Sequence, residues 1–306
     1  MQKIKKSVII TGYVCNNNCF FCIDADKRLL KEKTTKEIFR EIRGAKKRGT
    51  SYIEFIGGEV TIRPDILEII AYADKVGFEH IVMATNGRML AYSEFTKKLI
   101  NSGLTEIILS IHGHNEDLHD FLTCSKGSFS QLIKGLENLR IFGFKNISVN
   151  TTIVKQNYKY LIEIGLFLLK NKIKNVEFIF VDPNYGGAKN NFFEIVPKIS
   201  NIAPFVHKTL DLVAKKKEYD WHIRYVPLCY FVKYKEMVSE WNEVQLFESE
   251  HIAPDFINRN VNESRKNIGR NKPKAKCAEC SLYNECEGIW IEYLNKYGSD
   301  ELKAIK

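Results

Sequence analysis

Residues 7–22 read Ser-Val-Ile-Ile-Thr-Gly-Tyr-Val-Cys-Asn-Asn-Asn-Cys-Phe-Phe-Cys. The apolar, β-branched opening predicts a strand from Ser7 to Tyr13. That strand runs straight into a loop holding Cys15, Cys19 and Cys22 within eight residues. Thiolates are the natural ligands of iron–sulfur clusters and of zinc. Three at this spacing cap three irons of a cubane and leave the fourth open to a small molecule. A structural zinc site wants four closed ligands, and no fourth Cys or His lies nearby in sequence.

Strand, loop, helix is the unit that the rest of the chain repeats. Thr34–Lys47 reads as a helix, with Thr34 and Glu37 at capping-box spacing and Ile38, Ile42 and Ala45 on one face. Tyr52–Ile56 is the second strand, ending at Gly57-Gly58, and Asp65–Val76 a helix that stops at Gly77. Strands follow at His80–Ala84, Glu106–Ile111, Asn146–Ile153 and Val176–Val181. Helices are expected at Ser93–Asn101, Phe129–Phe142 and Tyr158–Asn171 and within Glu194–Lys217. Six β–α units in succession imply a parallel sheet, and right-handed crossovers curl it. The expected fold is α/β: a partial (β/α)6 TIM-type barrel over residues 1–218, with a smaller Cys-rich module over 219–306. His222–Tyr225 reads as one further strand, and the remainder as irregular, with a basic, Asn-rich stretch at Asn258–Lys276.

Length and charge narrow the function classes. The chain has 306 residues, 44% hydrophobic and 27% charged, as in an ordinary globular protein. No run approaches the roughly 18–20 apolar residues that span a bilayer, and Ser7–Ile10 is too short for a signal peptide. A cytoplasmic location is expected. The net charge is +9, but the lysines scatter over helix faces and form no basic–aromatic stripe, so nucleic acid is not the expected partner. Eight cysteines in a chain of this class favour metal or cluster ligation over disulfides.

The notable residues fall in the loops after strand C-termini, where barrels of this class place their chemistry. There the chain resembles the radical S-adenosylmethionine (SAM) superfamily, whose signature is Cys, three residues, Cys, two residues, Cys after the first barrel strand. The resemblance implies a [4Fe-4S] cluster on Cys15, Cys19 and Cys22. It also implies SAM chelated by the open iron, and a 5′-deoxyadenosyl radical that takes hydrogen from a substrate. Phe21 matches the family's aromatic residue beside the adenine. Gly57-Gly58-Glu59 resembles the family's "GGE" motif, which holds the SAM amino group, although Val60 stands where the family often has Pro. Glycines admit close backbone approach to a ligand. Thr85-Asn86-Gly87 resembles the family's Thr-Asn-Gly, with a plain turn as the other reading. Ser110 and His112 at the end of strand four, and Asn150 on strand five, are further SAM-site candidates. Each could equally be a buried, satisfied polar residue. His112–Thr123 resembles a stretch of peptide-modifying members and reads as a loop and short helix rather than a metal site.

Cys229, Cys277, Cys280 and Cys286 resemble the C-terminal SPASM and twitch modules, which hold auxiliary Fe–S clusters. Four thiols suit one fully ligated auxiliary [4Fe-4S] cluster, so the module is nearer twitch; a four-Cys zinc site is the alternative. Cys124, after strand four, is either a hydrogen donor to a substrate radical or a free loop cysteine. The resemblance implies an enzyme acting by C–H abstraction on a ribosomally made peptide, leaving a crosslink, an epimerised residue or a related change. The alternatives are a small-molecule dehydrogenase or cofactor-maturation enzyme, and an Fe–S or zinc protein without SAM chemistry. A ferredoxin or flavodoxin reductant is implied. About a dozen residues precede Cys15, so a peptide substrate is expected to need a separate leader-peptide-binding protein or direct recognition.

Overall fold

A computed structural model describes residues 3–264 and 269–306; residues 265–268 of the Asn-rich stretch lie outside them. Seven strands run parallel in chain order: β1 Ile4–Ile10, β2 Tyr52–Ile56, β3 His80–Thr85, β4 Glu106–Ser110, β5 Ile147–Ile153, β6 Asn175–Phe180 and β7 Asp220–Arg224. The helices between them are α1 Thr35–Lys47, α2 Ile66–Val76, α3 Ser93–Asn101, α4 Glu116–Thr123, α5 Ser128–Ile141, α6 Leu161–Lys170, the short α7 Gly186–Asn190 and α8 Phe192–Ile195, and α9 Ile199–Asp211. This is a partial TIM-type barrel.

Alternation along each strand sets its two faces. Ile53 and Phe55, Ile107 and Leu109, Val149 and Ile153, and Phe178 and Phe180 belong to one continuous buried core with the helix faces. The alternate residues, among them Glu54, Ser110, Asn150 and Glu177, therefore face the barrel interior. α1 shows how sequence makes an element: the Thr34 hydroxyl accepts from the Glu37 N–H, and the Glu37 carboxylate accepts from the Thr34 N–H at 2.7 Å. Ile38, Ile42 and Ala45 are fully buried, the isoleucines stabilising by roughly 1.5–3 kcal/mol each. α2 ends at Gly77 with φ +86°, a left-handed closure that favours glycine.

The sheet does not stop at residue 218. β7 extends one edge, and β8 Phe247–Ile252 lies parallel to β1 on the other, followed by antiparallel β9 Ile257–Asn258. β8 reads Phe-Glu-Ser-Glu-His-Ile, without an apolar run, which is why the segment looks irregular in sequence. Its place is fixed by charge instead. Buried Glu250 accepts from Ser7 Oγ at 2.6 Å and pairs with Arg48 and Arg259, each at 2.5 Å. The first strand also begins earlier than expected, at Ile4, because β8 supplies partners for Lys5 and Lys6. Between β7 and β8, α10 Ser239–Leu246 packs against both strands. There Arg224 binds Glu177 at 2.8 Å and Glu243 of α10 at 2.9 Å, while Lys6 binds Glu54 at 2.5 Å.

The Cys-rich segment closes the chain with the antiparallel pair β10 Arg270–Asn271 and β11 Ile289–Trp290. Arg270, with a fully buried side chain, binds Glu240 of α10 at 2.5 Å and Glu287 at 3.3 Å, tying this segment to the barrel. Among the described residues no helix is long and apolar enough to cross a membrane.

Candidate active site

The loop bearing Cys15, Cys19 and Cys22 is clamped from three sides by backbone. After β2, Gly58 N donates to Gly12 O at 2.9 Å and Glu59 N to Val14 O at 2.8 Å. After β6, Gly187 N donates to Cys22 O at 2.9 Å. At the end of α4, Thr123 O accepts from Asn18 N at 2.9 Å. The approach is so close that side chains are excluded. A Cβ at Gly57, where φ is +141°, would sit 2.3 Å from Gly12 O, and one at Gly58 2.1 Å from Val14 O. One at Gly187 would sit 1.9 Å from Phe20 O. Gly57 and Gly58, expected to admit close ligand approach, here lie against the backbone of residues 12–14.

Glu59, which the resemblance gives to the SAM amino group, is braced from both strand ends. Only 3% of its surface is exposed, and its carboxylate accepts four hydrogen bonds. These come from the Thr61 N–H and hydroxyl (3.0 and 2.5 Å), Thr85 Oγ1 (2.6 Å) and the Asn86 N–H (2.6 Å). Burial pushes this carboxyl up, and the four donors oppose it. Glu59 thus joins the ends of β2 and β3. Thr85 works in the same brace. Asn86 turns from it toward the loop, donating to Asn16 Oδ1 at 2.7 Å and lying 3.9 Å from Cys15 Sγ.

Two arginines that the sequence reading passed over grip the same loop. Arg88 donates to Asn16 O and to Asn17 Oδ1, the latter at 2.9 Å, and Arg28 to Asn17 O at 2.9 Å. Nothing in their local sequence marks them. Gly186-Gly187 after β6 was findable, since it repeats the double glycine after β2. Burial pushes the Cys15, Cys19 and Cys22 thiols up, and Arg28 pulls each back.

Below the loop, Ser110 and Asn150 stand side by side in the β4–β5 register, half-buried on the barrel's inner face. Phe21 is buried and meets the His112 ring edge-on at 5.0 Å. His112 is 6% exposed, and its Nδ1 accepts from the Thr152 N–H at 3.2 Å. Its own N–H donates to His119 Nδ1 at 3.2 Å. Burial lowers His112 to about 3 and His119 to about 4, so both rings are neutral near pH 7. His112 is therefore chiefly a satisfied interior group. Cys124 caps α4 at the exposed rim, one residue past the Thr123 carbonyl that binds the cysteine loop.

The other four cysteines meet although up to 57 residues separate them in sequence. Cys229, Cys277, Cys280 and Cys286 all line one cavity, together with Lys272, Tyr283 and Lys303. Burial, reinforced by the other three thiols, pushes Cys229 up to about 11. The Leu228 and Gly288 N–H groups donate to Cys286 Sγ at 3.4 and 3.2 Å. All eight cysteines are free, and among the described residues no group of His, Cys, Asp and Glu converges as for a single metal ion. Four cysteines around one cavity, with backbone N–H groups donating to Cys286 Sγ, are a donor set suited to a cluster of several irons. The N-terminal loop offers three thiols and rigid backbone, the set suited to a cluster with one open iron.

A partial barrel with a three-cysteine loop over its C-terminal mouth defines a SAM- and cluster-dependent enzyme. Residues 9–168 match the radical SAM superfamily, and the chain belongs to that family. Its cofactors are SAM and a [4Fe-4S] cluster. The chain is 26% identical over 213 residues, 69% of its length, to a probable GTP 3′,8-cyclase of Sulfurisphaera tokodaii. It is 34% identical over 145 residues, 47% of its length, to the AdoMet-dependent heme synthase of Methanosarcina barkeri. These matches span 66% and 41% of the relatives' own lengths. Among solved structures, Streptococcus suis SuiB bound to S-adenosylmethionine superposes with a TM-score of 0.69 at 17% identity, over 98% of this chain and 76% of SuiB. SuiB has also been solved bound to its precursor peptide SuiA.

Proposed function

We propose that this enzyme modifies a peptide in the cytoplasm by hydrogen abstraction, and that Cys229, Cys277, Cys280 and Cys286 hold an auxiliary [4Fe-4S] cluster. When bound, the N-terminal cluster and SAM supply the carbon-centred radical that removes the hydrogen. The protein's part is positional. Glycine contacts from two sides and the Glu59 brace hold the cysteine loop over the barrel mouth. Phe21 and the inner-face Ser110 and Asn150 form the wall below it. The observation carrying the peptide reading is that the fold follows SuiB across 98% of the chain, through the segment where four distant cysteines share one cavity. Eight free thiols support a reducing compartment. An acidic one-electron donor of the ferredoxin or flavodoxin type would serve as reductant, and the peptide would be presented by direct binding or by a separate leader-binding protein.

The test is anaerobic reconstitution followed by dithionite and SAM, with short peptides encoded beside the gene as substrates. The expected result is about eight irons per chain, 5′-deoxyadenosine, and a mass change in one peptide. A second reading, a nucleotide substrate, is favoured by the likeness to the GTP 3′,8-cyclase over 69% of the chain. A GTP-dependent product with every peptide unchanged would establish that reading instead.

A further inference from the structure

The segment that carries the first three cysteines also carries a cation bonded back onto it. Arg28 follows the 3-10 turn Ala25–Lys27, and its Nη1 donates to the Asn17 carbonyl at 2.9 Å. Asn17 is itself buried, and its N–H donates to Cys15 Sγ at 3.3 Å. The guanidinium is therefore held by backbone that lies between the first two cysteines. Arg88, the loop's other arginine, spends its donors on Asn16 O, Asn17 Oδ1 and Gln131 Oε1.

We infer that Arg28 raises the reduction potential of the N-terminal cluster, easing delivery of the electron that SAM cleavage requires. One electron adds one negative charge to a group already bound by three thiolates. A fixed positive charge beside it lowers the energy of the reduced form more than that of the oxidised form. No proton or further reactant is needed. Partial exposure of Arg28 screens the effect, which keeps it moderate. Arg28 is a positioning residue here, acting through the cluster, and the inference is independent of what the substrate is.

The experiment is an EPR-monitored redox titration of the reconstituted full chain, reading the signal that changes on adding SAM. Arg28→Gln should lower the ratio of reduced to oxidised cluster about tenfold at a fixed potential, about 59 mV for a one-electron couple. Arg28→Lys, which keeps the charge, should titrate close to the parent protein. A parent-like potential in Arg28→Gln at full iron content would overturn the inference. So would an equal shift in both variants, or loss of iron from Arg28→Gln alone, since either makes Arg28 a clamp for the loop rather than a charge.

Discussion

Among the described residues Glu59 pairs with no cation, yet it is buried and its four donors come from the ends of two strands. Such a group is costly to disturb, because each donor left unsatisfied in the interior carries a desolvation penalty of about 1–3 kcal/mol. Glu59→Gln replaces one acceptor oxygen by a donor NH2 facing N–H or O–H groups. We expect about 3 kcal/mol of lost stability in denaturant unfolding, with fewer irons bound on reconstitution. The two interior histidines give a pH prediction. Both fold with pKa values near 3 and 4, well below the ordinary 6.5, so the unfolded chain takes up protons that the folded chain refuses. Their contribution is intact above about pH 6.5 and is lost progressively as pH falls toward 4. His119→Gln should flatten the loss of stability between pH 6.5 and 4.5, as read by urea midpoints. Gly57, Gly58, Glu59 and Asn86 are marked in the sequence and lie beside the cysteine loop, but the hydrogen bonds that place them there cross 27 to 70 residues and have no local signature.

The loops after β2 and β6 act as a vice on the cysteine loop, and their glycines are its jaws. Gly187→Ala would drive a Cβ into the Phe20 carbonyl, and backbone cannot yield as a flexible side chain can. The expected outcome is a folded barrel, with native far-UV circular dichroism, that loses about half its iron and its SAM cleavage. Retention of full iron would show that the loop adapts. The elements themselves were largely readable. β2 and α3 fall where periodicity put them, and the Thr34–Glu37 box forms as its spacing requires. β8 was hidden because burial of Glu250 among Ser7, Arg48 and Arg259 holds it, and apolar patterning reports hydrophobic burial only.

One sheet organises both cysteine sets. Its central strands aim loops at the N-terminal three, while α10 and buried Arg270 tie the C-terminal four to the same barrel. Removing Arg224 would take an ion-pair partner from both Glu177 and Glu243, and partly exposed pairs of this kind are worth about 1 kcal/mol each. Arg224→Ala should therefore lower the melting temperature with little effect on iron content per folded chain. Cys280→Ala should instead lower iron from about eight to about four per chain and leave 5′-deoxyadenosine formation measurable. On this mechanism the N-terminal three thiolates alone activate SAM. The direct measurement is chromatographic quantitation of 5′-deoxyadenosine from the Cys15→Ala/Cys19→Ala/Cys22→Ala protein, reconstituted and reduced beside the parent. None should form although the C-terminal cluster remains; turnover comparable to the parent's would contradict the account.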